Sequence, residues 1–276
     1  MLENNLYKDR SYSSCIHAAY ELMCNNFTAI LKKTWGVVLL YSIIFALTPF
    51  TNSKIFTSVL LLASFLLKSW TDTIILSLLN DKSHKSNFIA IIQVVLFNFG
   101  LIALFSLIFY FANDFILHKA PTFASNLYLI LLPELLILVL LILQPMIFPS
   151  MKYLIHGEEN YLKVLKLNYK YGWKYWGFMT AVLILISIIT VAILLVITMP
   201  LIISAIINAQ NTIGVLMGDA NGLPSYYNTL NYVICAVSIF FTNYFSFWWI
   251  FVMYYIYGNI AARIKAKNQN TEKYDE

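Results

Sequence analysis

The sequence predicts an all-α fold, a polytopic membrane protein, and three observations predict it. Of 276 residues, 60% are apolar or aromatic and only 11% are charged, whereas a soluble domain carries about 25% charged residues. The mean hydropathy is +0.73. The apolar residues also gather into six long runs, most of them near the roughly 20 residues a helix needs to cross the apolar core of a bilayer. So few charges cannot cover a soluble fold of this length. Such hydrophobicity excludes disorder, and 9 Gly and 3 Cys exclude collagen-like and disulfide frameworks.

Taken in order, the chain divides into a cytoplasmic N-terminal segment 1–33, a six-helix transmembrane domain 34–262 and a polar cytoplasmic tail 263–276. In the first segment Tyr12, Ile16, Ala19, Met23, Phe27 and Ile30 recur in steps of three and four. That spacing predicts one apolar face on a helix over Tyr12–Leu31. The stretch is too polar to span and is expected to lie at the membrane interface. Residues 1–33 are polar and no small-residue cleavage pattern follows, so no secretory leader is expected.

The first span, Trp35–Phe50, is short, and Thr51-Asn52-Ser53-Lys54 turn it into the second, Ile55–Leu79. The third is Phe88–Ala112 and the fourth Leu127–Phe148. A second amphipathic helix is expected inside residues 152–175. There Leu162, Leu165, Tyr169 and Trp173 form one stripe, and Lys163, Lys166, Lys170 and Lys174 form the next. Glu158 and Glu159 precede it, where the helix dipole favours anions. The lysine stripe suits anionic lipid headgroups, although any positive cytoplasmic anchor would look alike.

The fifth span runs from Trp176 to Ile207, too long for one straight crossing. Pro200 is expected to end or bend it, leaving Leu201–Met217 on the outer surface or re-entrant. The sixth lies within Tyr232–Ala262. Its many aromatics suit packing and interface anchoring, or stacking of a flat ligand such as a quinone or carotenoid. Lys33-Thr34-Trp35-Gly36 and Lys174-Tyr175-Trp176-Gly177 each precede a span as a weak repeat.

Orientation follows the cations. Of 18 lysines and arginines, 15 fall in the N-terminal segment, the second and fourth junctions and the C-terminal tail; only Lys54 and Lys119 fall on the other side. Cations stay cytoplasmic. Both ends are therefore expected in the cytoplasm, with the chain multi-pass in the membrane. The net charge of +5 follows from this asymmetry. No nucleic-acid partner is implied. The partners expected are the lipid bilayer, anionic lipids within it and a membrane protein. Cys15 and Cys24 fall on the reducing side, so no disulfide is expected.

Few polar residues fall inside the spans. Lys68 and Asp72 sit at i and i+4, spaced to pair on one face. A charge at mid-membrane costs about 2.5–3.5 kcal/mol. The pair is either an ion or proton site or a self-neutralising lock on helix packing. Glu134 follows Pro133, whose missing donor frees a carbonyl and kinks the helix; such a kink beside an acid is either part of a transport path or packing. Gln93 and Asn98 can complete a polar interior with these three, or simply bond a neighbouring helix.

Enzyme signatures are missing. The sequence has no His-Glu-x-x-His, no Gly-x-Ser-x-Gly and no phosphate-cradling loop before Lys-Ser/Thr. No catalytic residue and no cofactor is therefore assigned. His17, His84 and His156 are expected inside and His118 outside, so no shared metal is expected.

The opening Ser11-Tyr12-Ser13-Ser14-Cys15-Ile16-His17-Ala18-Ala19-Tyr20-Glu21-Leu22 and the later Leu162-Lys163-Val164-Leu165-Lys166-Leu167-Asn168-Tyr169 resemble a broad group of bacterial six-span membrane proteins. That group includes the membrane domain attached to some glycerophosphodiester phosphodiesterases. The resemblance implies the six-span layout in a bacterial inner membrane, without the phosphodiesterase activity, because no such catalytic domain is present. Similar chains are labelled β-carotene 15,15′-monooxygenase, which implies iron on four histidines; the histidine placement argues against it. The function expected is a non-catalytic membrane scaffold or accessory subunit. A small transporter using Lys68, Asp72 and Glu134 is the alternative, and an enzyme on an apolar substrate such as a carotenoid the third.

Overall fold

The computed structural model describes residues 6–119, 141–157, 160–218 and 222–272. Among them the regular elements are helical and none is a strand: α1 Tyr12–Asn25, α2 Phe27–Leu47, α3 Lys54–Leu79, α4 His84–Lys119, α5 Ile147–His156, α6 Tyr161–Lys174, α7 Trp176–Leu216 and α8 Tyr227–Glu272. Short 3-10 turns at Thr48–Phe50 and Gln144–Met146 follow α2 and precede α5.

Five helical segments are long and apolar enough to cross a membrane: Phe27–Phe50, Lys54–Leu79, His84–Phe111, Trp176–Leu216 and Tyr227–Gln269. In the most apolar stretch of α7 only 11% of the residues are buried. Val196, for instance, is 74% exposed. A helix apolar on all sides and so little covered belongs in lipid, which makes this a membrane protein. Most of the expected fourth span, 127–140, lies outside the described residues.

Three boundaries differ from the sequence expectation. The first amphipathic helix stops at Asn25, and Phe27–Leu31 belong to α2. Asn26 breaks the path: its backbone leaves the helical region and its amide donates to the Leu22 carbonyl at 2.9 Å, a local competition typical of Asn. Span one is thus a full 24 residues with its turn rather than short. Second, Pro200 does not end α7, which continues to Leu216. At about 1.5 Å per residue its 41 residues reach about 60 Å. Beyond Pro200 the helix is tied to α8, where Ser204 is buried and bonds both Tyr227 and Asn231. Termination comes instead at Gly218, whose φ of +95° suits glycine. Third, the tail from 263 onward remains helical to Glu272 as the end of α8.

Contacts divide the chain into two compact units. One comprises 13–75 and 183–252. In it, α2 buries Ile30, Thr34, Val38, Ser42 and Ala46, a seam at every fourth residue. Thr34 and Ser42 fit this apolar stripe because each hydroxyl donates to the carbonyl four residues back, at 2.8 and 2.7 Å. Thr34 also meets the Tyr244 hydroxyl of α8 at 3.2 Å. Trp249 of α8 donates to Thr190 of α7 at 2.9 Å. The buried face of α1 is Cys15, Ile16, Ala19 and Leu22. It is rotated from the expected stripe, since Tyr12 and Phe27 are exposed.

The other unit comprises 1–12, 76–182 and 253–276. Here α5 and α6 form a hairpin on α4, closing around Ala90, Val94, Tyr153, Tyr161 and Val164. Gly157 turns the hairpin with a φ of +61°, and a Cβ there would stand 2.2 Å from Lys82 Nζ. Gly172 brings α6 onto the turn before α5; a Cβ there would stand 2.0 Å from the Pro145 carbonyl oxygen. Asn80 and Asn87 exchange amide hydrogen bonds at 3.0 and 2.9 Å, and Asn80 also donates to the Leu154 carbonyl.

Candidate functional site

Two polar clusters stand out, one in each unit. In the unit of 13–75 and 183–252, helical spacing stacks Ser64, Lys68 and Asp72 on one face of α3. Lys68 Nζ lies 2.5 Å from Asp72 Oδ1, 3.1 Å from Ser246 Oγ and 3.4 Å from Asn243 Oδ1. An ammonium has three donors, so these oxygens complete its shell. The Phe247 ring adds a cation–π contact at 5.3 Å. Asp72 supplies the opposite charge one turn away, on the same helix. Beside this pair two groups remain unsatisfied: Asn243 Nδ2 and Ser64 Oγ are buried without a hydrogen-bond partner.

The other residues expected in a shared polar interior behave differently. Gln93 belongs to the other unit, where its Oε1 accepts from the Tyr153 hydroxyl at 2.5 Å. Asn98 is half-buried in that same unit. Glu134 lies outside the described residues. Of the five, the structure brings together Lys68 and Asp72. Neither member of the Lys-x-Trp-Gly repeat marks a common helix start: Lys33-Thr34-Trp35-Gly36 lies inside α2, whereas Lys174 ends α6 and Trp176 begins α7.

The second cluster surrounds the α5–α6 hairpin. Lys152 of α5 donates to Asn168 Oδ1 of α6 at 3.0 Å. The Asn168 amide in turn donates to the Val164 carbonyl at 2.8 Å. Two cavities, each about 510 Å³, share Lys152, Asn168 and Tyr171 as walls. One extends to Lys265 and Gln269 of α8, the other to His156 and Lys170. Among the described residues no carboxylate lines either cavity. Nearby, His156 Nε2 meets the hydroxyls of Tyr257 at 2.8 Å and Tyr7 at 3.3 Å. Burial raises the Tyr161 phenol above its ordinary pKa, partly offset by its hydrogen bond with Ser150. Burial likewise raises that of Tyr153.

The sequence expectation counted Lys152 among the cytoplasmic cations and Lys170 in the lysine stripe, but gave Asn168 no role. One signal was available. The buried stripe of α6 is Tyr161, Val164, Asn168 and Gly172, so Asn168 is a polar residue on an otherwise packed face. The expected lysine stripe, Lys163, Lys166, Lys170 and Lys174, is exposed along the opposite side of α6.

Among the described residues no group of three His, Cys, Asp or Glu side chains is arranged to hold a metal ion, and Cys15, Cys24 and Cys235 are free thiols. Comparison with family models, curated proteins and solved structures finds no match.

Proposed function

We propose that this chain is a six-span scaffold or accessory subunit of a bacterial inner membrane, with both ends in the cytoplasm and no catalysis of its own. The observation that carries the scaffold reading is the completed shell of Lys68. A cation whose three donors are already met, and whose charge is cancelled by its own helix, fits a packing lock better than a site awaiting an ion.

Three contacts support the topology. Asp9, before α1, pairs with Arg263 near the end of α8 at 2.8 Å. Asn80, just before α4, bonds Leu154, just before the end of α5. His156 bonds Tyr257. If α4 crosses once, the chain must cross back between Lys119 and Leu154 for the second contact to form. That is the place of the fourth span expected from the sequence, Leu127–Phe148, most of which lies outside the described residues. The positive-inside distribution supports reading α1 and α6 as amphipathic helices at the cytoplasmic interface.

A small transporter is the second reading, and the unpaired Asn243 Nδ2 and Ser64 Oγ favour it. Unsatisfied buried groups are costly and would gain a partner from a passing polar solute. The test is the paired substitution Lys68→Leu with Asp72→Leu in the native membrane. The scaffold reading expects unchanged assembly with co-purifying membrane proteins and unchanged or higher Tm, since apolar replacements of buried ion pairs are often neutral or stabilising. A folded variant that has lost a cellular phenotype of the wild type, with its assembly intact, sinks the scaffold reading and supports transport.

A further inference from the structure

We infer that the groove beside the α5–α6 hairpin binds a phosphoryl anion, held by Lys152 and Lys265. The inference stands independently of the scaffold reading, because it uses only the local geometry of one unit.

The argument begins with charge. Lys68 has a carboxylate; Lys152 has a neutral amide. Its one hydrogen bond to Asn168 fixes the ammonium without cancelling its charge, and two of its three donors remain for another acceptor. Asn168 is itself fixed by the Val164 carbonyl, so the lysine head is held in place before any ligand arrives. Two cavities meet at this point. A positioned cation that borders two cavities of about 510 Å³ each, with no acid among the described lining residues, suits an anion.

The size and the donors narrow the class. The space exceeds what a halide needs. Lys152 and Lys265 line the same cavity, where Asn268 and Gln269 add amide donors. Two ammonium groups with amide donors beside them suit a group with several anionic oxygens, for which lysine is a common partner. Phe148, Ala261 and Ile264 line the remaining wall, and they suit an apolar or glycerol portion attached to the phosphate. A phospholipid headgroup and a soluble phosphate ester share this chemistry.

The experiment uses the purified full chain in nanodiscs of phosphatidylcholine. In one arm phosphatidylglycerol is added and retained lipid is counted by native mass spectrometry. In the other, inorganic phosphate is titrated by calorimetry. The variant is Lys152→Gln with Lys265→Gln, and the control is Lys166→Gln with Lys174→Gln on the exposed stripe. At about 1 kcal/mol per cation, the groove variant should lose about 10-fold or more in binding, and the control under about 2-fold. Loss in the phosphatidylglycerol arm identifies a headgroup; loss in the phosphate arm identifies a soluble ligand. If the double variant does not elute as a folded species, Lys265→Gln alone serves, since Lys265 is exposed, with a loss of about 5-fold. Equal binding by wild type and groove variant in both arms, no binding by wild type, or an equal loss in the control overturns the proposal.

Discussion

Lys68 and Lys152 compare two ways of keeping a cation within a helical protein. In the unit of 13–75 and 183–252, Lys68 meets a carboxylate one turn along its own helix, and two oxygens of α8 fill its remaining donors. In the unit of 76–182 with both chain ends, Lys152 meets one neutral amide and open space. The first arrangement is self-sufficient: its energy is the avoidance of an uncompensated charge. The second is fixed in position and unfinished in charge, the condition of a binding site. Residue type and burial alone do not separate structural from ligand-facing lysines; the partner's charge does.

The largest expected effect breaks the Lys68 side of this comparison. Asp72→Leu alone leaves an ammonium with two neutral oxygens and no counter-charge. It should cost about 3 kcal/mol, read as a fall in unfolding free energy in detergent micelles. The two side chains are 30% and 24% exposed, which argues against a larger figure. The doubly substituted Lys68→Leu, Asp72→Leu protein should regain most of that loss. If Asp72→Leu is neutral, the pair is not the lock described here.

Next in size is Gly172→Ala, which tests whether the platform beneath Lys152 depends on close helix approach. The added methyl would stand 2.0 Å from the Pro145 carbonyl oxygen, a backbone atom that cannot rotate away. Overpacking of this kind costs about 1–3 kcal/mol. The loss should appear in Tm and also in the phosphate binding of the neighbouring groove. By contrast Gly36, where a Cβ meets nothing within 4 Å, should accept alanine with no loss in Tm.

A somewhat smaller effect is expected from Asn87→Leu. Asn87 is fully buried and exchanges both amide bonds with Asn80. Removing it takes one partner from each polar atom of the Asn80 amide, for about 1–2 kcal/mol, while Lys82 N–H still donates to Asn80 Oδ1. Asn80 keeps its bond to the Leu154 carbonyl, which caps the loss. Hydrogen exchange of the backbone around residues 80–90 should rise, while that around Lys68 stays unchanged.

Much of this was legible in the residues. Hydropathy marked the five helices long enough to cross a membrane, and the i, i+4 spacing announced the Lys68–Asp72 pair before any coordinates. What misled was local backbone chemistry. Proline normally stops a helix, but α7 passes Pro200 because Ser204, Tyr227 and Asn231 hold its continuation to α8. The periodicity over Tyr12–Leu31 ran straight through Asn26, whose side chain bends the chain out of the helix. The groove was illegible for a different reason. Lys152, Asn168 and Lys265 are far apart in sequence, and only the hairpin turn at Gly157 and the return of α8 bring them to one place.

The smallest effect concerns pH, and it distinguishes the platform from the intramembrane pair by a different route. Burial raises the phenols of Tyr153 and Tyr161 above the ordinary tyrosine value of about 10. A raised folded pKa means that the native state holds the phenolic proton more tightly than the unfolded chain does. Their contribution is therefore complete below about pH 10, the unfolded value, and is lost as pH climbs from there through the folded value. Unfolding of the wild type should be insensitive to these two groups through neutral pH and weaken only in strong alkali. Replacing both by phenylalanine removes the titration, but it also removes the bonds to Gln93 and Ser150, so the variant should be less stable at neutral pH and lose less on going to pH 11. An identical alkaline loss in both proteins would assign the transition elsewhere and leave the α5–α6 platform without a role in it.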